Sequence, residues 1–275
     1  MTSEQGSSNV WALITGASSG IGEAYAFFLA GLGHPLVLTA RRKDRLESVA
    51  NEIRTRHGVD VLVRPCDLTD RDAVESLITS IDVPVGILIN NAGYAVPDFF
   101  LRTQWSVERD VLEVLGIVPI RLAHAFAPAM LERGWGRIIH VSSLAAFTPV
   151  TPGGYYGPAK TFLVQAARSL SREVAGSGVH VTALCPGFTR TEFHDVLGNR
   201  ESVDRMPRWM WQEAGPVVTA GWKAVERGRE VCVPGVVNKT LRLIFMIMPA
   251  CLRRRLPLSR MPGNHGQSDA TASSD

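Results

Sequence analysis

The chain has 275 residues, 45% of them hydrophobic and 20% charged, with a formal net charge of +3 at pH 7. This composition is typical of a soluble globular protein with a substantial core, and so small a positive charge does not indicate a nucleic-acid partner. The cysteines are far apart, without a CxxC pair or a histidine cluster at metal-ligand spacing, so we expect reduced thiols, no metal site and a cytoplasmic protein. They are Cys66, Cys185, Cys232 and Cys251.

Short aliphatic runs alternate with longer segments of helical periodicity along most of the chain. Each run is almost continuously apolar, which is typical of strands in a parallel sheet that is covered on both faces. The alternation predicts an α/β fold, a doubly wound parallel sheet in three αβα layers, as a single domain. The predicted strands are residues 10–15, 35–40, 59–65, 85–90, 136–142 and 179–185.

The ends of the chain differ in composition from its middle. Residues 1–8 are polar, with no apolar leader, and we expect a flexible arm there and no secretion. Residues 9–234 are predicted to form one folded domain, which the motifs described below mark as dinucleotide-binding and catalytic. Residues 235–260 form an apolar and basic extension, and residues 261–275 are expected to be a disordered tail.

The motif TGASSGIG follows the first predicted strand and precedes a helix. Glycines at such a turn let the backbone approach a phosphate closely, and the N-terminus of the following helix presents free N–H groups to it. This context favours a dinucleotide site over a plain turn. The residues predicted to bind the cofactor here are Gly16, Ser18, Ser19, Gly20 and Ile21.

The end of the second strand, LTARRKDRL, predicts which dinucleotide is bound. Ala40 occupies the position where a carboxylate would accept hydrogen bonds from the ribose of NAD, and Arg41 and Arg42 follow it. Guanidinium groups there suit a 2′-phosphate, so we expect NADP(H). The alternative interpretation is a solvated basic start to the next helix.

Two further segments are predicted to lie at the same edge of the sheet. Asp67, with Leu68 after it, is placed either to bind the adenine amino group or to cap the following helix. The motif NNAG after the fourth strand puts Asn90, Ala92 and Gly93 at the carboxyl edge, where ligands bind in sheets of this type.

These motifs, in this order, resemble the short-chain dehydrogenase/reductase family from about Val10 to Val233. They are TGxxxGxG, NNAG, a serine and a tyrosine thirteen residues apart, YxxxK and PGxxxT. The resemblance implies a Rossmann-type fold and an NAD(P)-dependent oxidoreductase. It also implies that PGFTRT lies beside the nicotinamide and opens the substrate loop, with Pro186, Gly187, Thr189 and Thr191 as cofactor-binding residues.

Tyr156 and Lys160 are four residues apart and therefore share one face of a helix, whereas Tyr155 points elsewhere. Tyr156 is the candidate acid–base, since a neighbouring ammonium favours the phenolate. The family spacing selects Ser143 rather than Ser142 to hold the substrate oxygen, and the resemblance implies that Lys160 also binds the nicotinamide ribose. These three residues are the predicted catalytic set.

Two residues depart from the family pattern. Pro158 requires the helix to start near Gly154 or Tyr155, because proline is tolerated only in the first turn. Leu115 stands where the family has a catalytic asparagine. We expect the Leu115 carbonyl, which the N–H-less Pro119 cannot engage, still to bind a proton-relay water. The alternative is a catalytically impaired NADP(H)-binding protein.

The C-terminal extension contains an apolar run, residues 243–252, that is too short to span a bilayer. It is interpreted either as a lid over the substrate site or as an interfacial helix with peripheral membrane contact. The nearby cations are Lys239, Arg242, Arg253, Arg254, Arg255 and Arg260.

Three tryptophans in the preceding region, Trp209, Trp211 and Trp222, suggest an apolar pocket. The predicted function is therefore that of an NADPH-dependent carbonyl reductase or alcohol dehydrogenase acting on a hydrophobic substrate, such as a lipid-like ketone or a 3-oxoacyl chain. By resemblance, the helices around 104–133 and 155–176 would pair with a second subunit in a homodimer or homotetramer.

Overall fold

The computed structural model describes residues 10–96, 98–148, 154–192, 207–249 and 251. Seven strands form one sheet in the order β3-β2-β1-β4-β5-β6-β7, and every neighbouring pair is parallel. The predicted Rossmann-type sheet is confirmed. The strands are β1 (Trp11–Thr15), β2 (Leu36–Thr39), β3 (Val61–Val63), β4 (Val85–Asn90), β5 (Gly136–Val141), β6 (Val179–Leu184) and β7 (Val231–Cys232).

Helices cover both faces of the sheet, as the unbroken apolar strands predict. On one face α1 (Gly20–Gly31), α2 (Lys43–His57) and α7 (Ala214–Glu226) pack against one apolar cluster of the core. The opposite face carries α3 (Arg71–Thr79), α4 (Trp105–Leu112), α5 (Val118–Arg133) and α6 (Tyr156–Glu173). A last helix, α8 (Val236–Ile247), follows β7.

The side chains of β1 alternate between the two helical layers that cover the sheet. Ala12 and Ile14 point into the cluster under α1, and Leu13 points into the cluster under α5. All three side chains are fully buried. The chain crosses to opposite sides of β1, so that β2 and β4 flank it, and ligands bind at the carboxyl ends of strands beside such a switch point.

Three elements differ from the sequence predictions or extend them. The strand β7 was not predicted, because two residues carry no periodicity that marks a strand. Helix α6 begins at Tyr156, which agrees with the limit that Pro158 sets. The C-terminal extension is helical over Val236–Ile247, and its cations from Arg253 to Arg260 lie outside the described residues, as do the predicted arm 1–8 and tail 261–275.

The continuous helical stretch Trp105–Arg133 is long and apolar enough to cross a membrane by length and composition alone. More than half of its apolar window, 56%, is buried inside the fold. Its apolar side chains, among them Leu122 and Met130, pack against the sheet. This stretch is therefore accounted for as a core helix of the second layer.

Candidate active site

The glycines after β1 shape a narrow turn at the switch point. A Cβ on Gly22 would overlap the carbonyl of Gly16, and a Cβ on Gly16 would lie 2.8 Å from the Asn91 amide nitrogen. Gly16 also has a φ of 66°, a conformation that disfavours any other residue. Ser19 precedes α1 without making a side-chain cap, so the N–H groups of the first turn remain available for an anion. Ile21, half-buried in that turn, packs against the core.

The ends of β1 and β4 are joined by hydrogen bonds. The hydroxyl of Thr15 accepts the main-chain N–H groups of Asn91 and Ala92, at 3.0 Å each. The Asn91 side chain donates to the carbonyl of Thr15 at 3.0 Å. Residues of the motifs TGxxxGxG and NNAG, distant in sequence, thus form one rigid rim.

Asn90 does not offer its side chain to this rim. Its amide nitrogen donates to the carbonyl of Pro119 at 3.0 Å and lies 3.2 Å from Nδ1 of His140, inside the sheet. Asn90 is 2% exposed. The predicted cofactor contact at Asn90 is therefore restricted to its main chain.

Arg42 organises a cluster of polar groups beside the Gly-rich turn. Its Nη2 donates to the hydroxyls of Ser18 at 3.2 Å and Ser19 at 3.0 Å, and to the carboxylate of Glu192 at 3.0 Å. Arg45 donates to the other oxygen of that carboxylate at 3.1 Å. Half of the Arg42 side chain remains exposed. A carboxylate held by two guanidinium groups shows that this location accepts an anion, and a 2′-phosphate fits the same donors.

Arg41 is exposed, and its charge acts on the Asp67 carboxyl. Hydrogen bonds from Thr69 lower the pKa of Asp67, and the charge of Arg41 adds to this effect. Asp67 accepts both the N–H and the hydroxyl of Thr69, whereas Asp70 caps α3. The alternative that Asp67 caps the helix is therefore wrong, because the cap lies three residues later. Leu68 is buried beside it.

Ser143, Tyr156 and Lys160 meet above the carboxyl end of β5. Lys160 Nζ donates to the carbonyl of Val141 at 2.7 Å and lies 5.6 Å from the centroid of the Tyr156 ring. The Ser143 hydroxyl accepts the N–H of Ala145 at 3.1 Å, at the start of a short turn, Leu144–Phe147. The Ser143 side chain is also hydrogen-bonded with that of Tyr156.

Burial governs the ionisation of these groups. It raises the pKa of Tyr156 to about 12, although a hydrogen bond with Ser143 acts in the opposite direction. Burial lowers the pKa of Lys160 to about 8. At neutral pH the site therefore holds a neutral phenol beside a charged lysine that is only 4% exposed. This pair is suited to donating a proton to an oxygen.

The neighbouring serine and tyrosine have other contacts. The hydroxyl of Ser142 is buried and donates to the carbonyl of Lys160 at 2.8 Å. Tyr155 is 37% exposed, and its ring packs edge-on against Phe100 at a centroid distance of 4.6 Å. The structure thus places Ser143, not Ser142, beside Tyr156, and Tyr155 faces outward.

Leu115 lies in an irregular turn of its helix, directly against the site. Residues Glu113–Ile117 form a π-helical turn between α4 and α5, and such turns are frequent at functional sites. The Leu115 side chain is 1% exposed and packs with Tyr156 in a small apolar cluster. A Cβ on Gly93 would lie 2.5 Å from Leu115 Cδ2 and 3.6 Å from Lys160 Nζ. Leu115 therefore closes off the lysine with apolar surface.

Glu108 is a buried residue that sequence reasoning missed. Its carboxylate is 0% exposed, accepts the N–H of Tyr155 at 2.9 Å and receives the hydroxyl of Thr103 at 2.6 Å. Gly154, with a φ of 56°, leaves the space that this carboxylate occupies, since a Cβ there would overlap it. Glu108 thus caps helix α6 from α4, one residue before Tyr156. Only the tertiary structure brings these residues together.

The PGFTRT segment and helix α8 form the remaining side of the site. The N–H of Leu144 donates to the carbonyl of Pro186 at 2.8 Å. A Cβ on Gly187 would lie 2.4 Å from the Asn238 side chain, and one on Gly20 would lie 3.0 Å from the side chain of Thr191. Thr189 is buried in the same segment. PGFTRT therefore connects the Gly-rich turn with the turn of Ser143.

The tryptophans do not form a common pocket. Trp222 packs on Phe28 and His34, in the layer of α1 and α7, away from Tyr156. The interpretation that it lines a substrate pocket is wrong, because α7 lies on the opposite face of the sheet from α6. Trp209 is 64% exposed, and only Trp211 approaches the PGFTRT segment, 5.8 Å from the Phe188 ring.

A family model described as short chain dehydrogenase matches residues 10–202. The very-long-chain 3-oxoacyl-CoA reductase of Anas platyrhynchos is 28% identical over 246 residues, which cover 87% of this chain and 76% of that protein.

Two solved structures share the fold closely. A short-chain dehydrogenase from Sphingobium yanoikuyae in complex with NADPH has a TM-score of 0.77 and 31% identity, covering 87% of this chain and 96% of that one. The bulky-bulky ketone specific alcohol dehydrogenase from Comamonas testosteroni has a TM-score of 0.73 and 28% identity, covering 90% and 99%. The family match runs from β1 through β6 and includes Ser143, Tyr156 and Lys160. The chain therefore belongs to the short-chain dehydrogenase family and is an oxidoreductase acting on CH–OH and C=O groups.

Proposed function

We propose that the protein is an NADPH-dependent carbonyl reductase, or the reverse alcohol dehydrogenase, acting on a hydrophobic ketone. The observation that carries this proposal is the meeting of Ser143, Tyr156 and Lys160 at the edge of the dinucleotide rim. When bound, a nicotinamide cofactor supplies the hydride that reduces the carbonyl carbon.

The residues of the chain handle the substrate oxygen and its proton. The Ser143 hydroxyl, already oriented by the N–H of Ala145, donates a hydrogen bond to the carbonyl oxygen. The Tyr156 hydroxyl donates its proton to the same oxygen. The Lys160 ammonium stabilises the phenolate that remains, across the 5.6 Å between Nζ and the ring centroid.

A preference for NADP(H) is supported by the Arg42 cluster. Arg42 donates to the hydroxyls of Ser18 and Ser19, and Arg42 and Arg45 together hold the carboxylate of Glu192. Ala40 offers no acid to a ribose hydroxyl. We expect wild type to bind NADPH more tightly than NADH, and Arg42→Ala to lose most of the difference. Fluorescence titration measures both, with Arg56→Ala, an exposed arginine of α2, as the control.

A hydrophobic ketone or a 3-oxoacyl chain is the proposed substrate class. The relatives named for very-long-chain 3-oxoacyl-CoA and for bulky ketones support it. Phe147, in the turn that begins at Ser143, and the apolar cluster around Leu115 supply apolar surface beside the site. NADPH oxidation with ketones from short polar to long-chain ones tests this class, and turnover of small polar ketones alone would contradict it.

The second candidate, a catalytically impaired NADP(H)-binding protein, is favoured by Leu115 at the position of the family asparagine. The same ketone panel separates the two when it is run on wild type, Tyr156→Phe and Leu115→Asn. A working reductase turns over as wild type and is inactive as Tyr156→Phe. A wild type that binds NADPH without turnover, together with an active Leu115→Asn variant, would establish the second candidate instead.

Self-association as a homodimer or homotetramer is proposed from the outer faces of the long helices. Ile117, Leu131 and Phe162 are large apolar residues there, exposed by 51%, 41% and 48%. Burying such a patch against a second copy is the usual way to remove it from water. Light scattering after size exclusion checks this, and Phe162→Asp is expected to favour monomers.

We also propose that the protein is cytoplasmic and contacts membranes peripherally through α8. On α8 the apolar residues Leu243, Met246 and Ile247 are exposed, and Lys239 lies nearby. Exposed apolar residues with cations at their edge suit an anionic bilayer surface. Flotation with anionic liposomes measures binding, and Ile247→Glu is expected to abolish it.

A further inference from the structure

Arg242, on helix α8, has its guanidinium turned toward the body of the protein. Its Cζ atom lies 4.7 Å from the centroid of the Phe147 ring, a cation–π contact. Its Nε is buried and makes no hydrogen bond. Within the described part of the chain, no carboxylate pairs with this guanidinium. The guanidinium is therefore held against the interior with at least its Nε–H donor unsatisfied by the protein.

One ring contact, one electrostatic effect and the position of its own helix place Arg242 near the carboxyl edge of the sheet. Phe147 ends the short turn that begins at Ser143. Cys185 directly follows β6, and although burial raises the pKa of its thiol to about 12, the charge of Arg242 opposes this rise. One turn earlier on α8, Asn238 lies against Gly187 of the PGFTRT segment. Arg242 thus lies between the turn of Ser143 and the end of β6.

The segments that build this part of the site contain no acidic residue at all. Residues 133–172, 174–191 and 231–268 include neither aspartate nor glutamate. They carry β5, β6, β7, α8 and nearly all of α6, together with the turn of Ser143 and most of the PGFTRT segment. The buried carboxylate near the site, that of Glu108, is engaged by the Tyr155 N–H and the Thr103 hydroxyl. Among the described residues neither Lys160 nor Arg242 has an ion-pair partner, and two such cations attract an anionic ligand.

We propose that Arg242 is an anion anchor of the substrate site, and that the substrate is a hydrophobic ketone carrying a carboxylate at a distance from its carbonyl. This inference rests on the proposed reductase function. The guanidinium pairs with the carboxylate through two parallel hydrogen bonds. The apolar part of the substrate lies along Phe147, and its carbonyl reaches Ser143 and Tyr156. Arg242 is thus a specificity-determining residue.

The test compares a long-chain oxo acid with its methyl ester, which has the same chain and no charge. Wild type is expected to favour the acid in kcat/KM by roughly 10- to 100-fold, the range of a charged hydrogen-bonded pair. Arg242→Met keeps an unbranched side chain against Phe147 and is expected to lower kcat/KM for the acid to about the value for the ester, which abolishes the preference. Lys239→Met removes an exposed cation from the same helix and is expected to retain the preference.

Equal kcat/KM values for acid and ester in wild type would overturn the anchor, as would an equal loss of both in Arg242→Met. Calorimetry of a saturated long-chain carboxylate on the NADPH complex supplies a second readout that needs no turnover. Binding that depends on Arg242, without reduction of any ketone, would support the anchor and reject the reductase. Turnover of the ester with no carboxylate binding would reject the anchor alone.

Discussion

Lys160 has its ammonium group out of water, against the Val141 carbonyl and the Tyr156 ring. Burial lowers its pKa to about 8, because the charged form loses hydration that one carbonyl does not replace. The charged form is the one that stabilises a Tyr156 phenolate, and it predominates below this pKa. The activity of the site is thus tied to a lysine that titrates near physiological pH.

We expect kcat/KM for ketone reduction to fall as pH rises through about 8, when Lys160 loses its proton. Tyr156, whose pKa is raised to about 12, keeps its proton in this range and does not cause the fall. The measurement is NADPH oxidation at fixed ketone between about pH 6 and pH 10. Lys160→Arg stays charged throughout, so any residual activity should lack this transition. A wild-type profile that is flat through pH 8 would contradict the role of the lysine charge.

At the scale of elements, helix α6 depends on α4 for its start. Tyr155 supplies no side-chain cap to α6, and the buried Glu108 accepts the Tyr155 N–H instead. A carboxylate at this end also interacts favourably with the helix dipole. Because Tyr156 is the next residue, the contact between α4 and α6 sets where its hydroxyl lies.

Glu108→Leu is expected to lower kcat by about 10-fold or more with little change in NADPH affinity, because Tyr156 loses its position. It should also cost about 1–3 kcal/mol of unfolding free energy, since the Tyr155 N–H is left buried without a partner. Steady-state kinetics and urea unfolding measure the two effects.

Glu108→Gln is the matched control. Its amide oxygen still accepts the Tyr155 N–H, and its nitrogen donates to the Thr103 hydroxyl, which can donate to the carbonyl of Phe100. Near-wild-type kcat is expected. Loss of kcat in Glu108→Gln equal to that in Glu108→Leu would show that the charge, not the cap, matters.

The π-helical turn at Leu115 is a second irregular helix segment that borders the site. Pro119 has no N–H to donate to the Leu115 carbonyl four residues earlier, so the usual α-helical hydrogen bond to that carbonyl is absent. The Pro119→Ala variant restores the donor and permits a regular α-helix through this region.

If the Leu115 carbonyl serves proton relay, Pro119→Ala should lower kcat by roughly 10-fold, a loss at the low end for proton-transfer groups, and leave NADPH affinity unchanged. Single-turnover kinetics measures the chemical step directly. The Asn90 side-chain amide donates to the main-chain carbonyl of residue 119, an acceptor that the alanine variant retains. An unchanged rate of the chemical step would rule out the relay through Leu115.

At the scale of the whole molecule, a buried histidine in the sheet makes the stability of the fold depend on acidic pH. His140 of β5 is 1% exposed, and its Nδ1 lies 3.2 Å from the Asn90 amide nitrogen. Both protons of that amide face acceptors, so protonating His140 would place two donors against each other. Burial, with the charge of Lys160, lowers the pKa of His140 to about 4.

The free energy of unfolding should therefore decrease as the pH falls from about 6.5 to about 4. In this range His140 is protonated in the unfolded chain and neutral in the folded protein. The contribution of His140 across this window is about 3 kcal/mol. Urea unfolding of wild type and His140→Leu measures it, with the exposed histidine variant His124→Leu as control. An identical pH dependence in His140→Leu and wild type would contradict this assignment.

The order of elements could be predicted because each strand is a continuous apolar run and each motif follows a strand end. Local sequence signals mark part of the site. A fixed spacing marks Ser143, Tyr156 and Lys160, and the backbone conformation that only glycine adopts easily marks the Gly-rich turn. Glu108 and Arg242 have no such signal. A glutamate in an amphipathic helix and an arginine in a basic segment look solvent-exposed, and Trp222 looks like a pocket residue until its layer is known.

The sequence by itself determined the sheet, the dinucleotide rim and the residues that share a helix face, because periodicity and backbone conformation are local properties. The tertiary structure alone decided which charged side chains are buried and which groups they contact. Glu108 reaches Tyr155 across 47 positions, and Arg242 reaches Phe147 from the last helix. Burial and pairing depend on contacts between distant segments, and the pKa values of Lys160 and His140 follow from those contacts rather than from any motif.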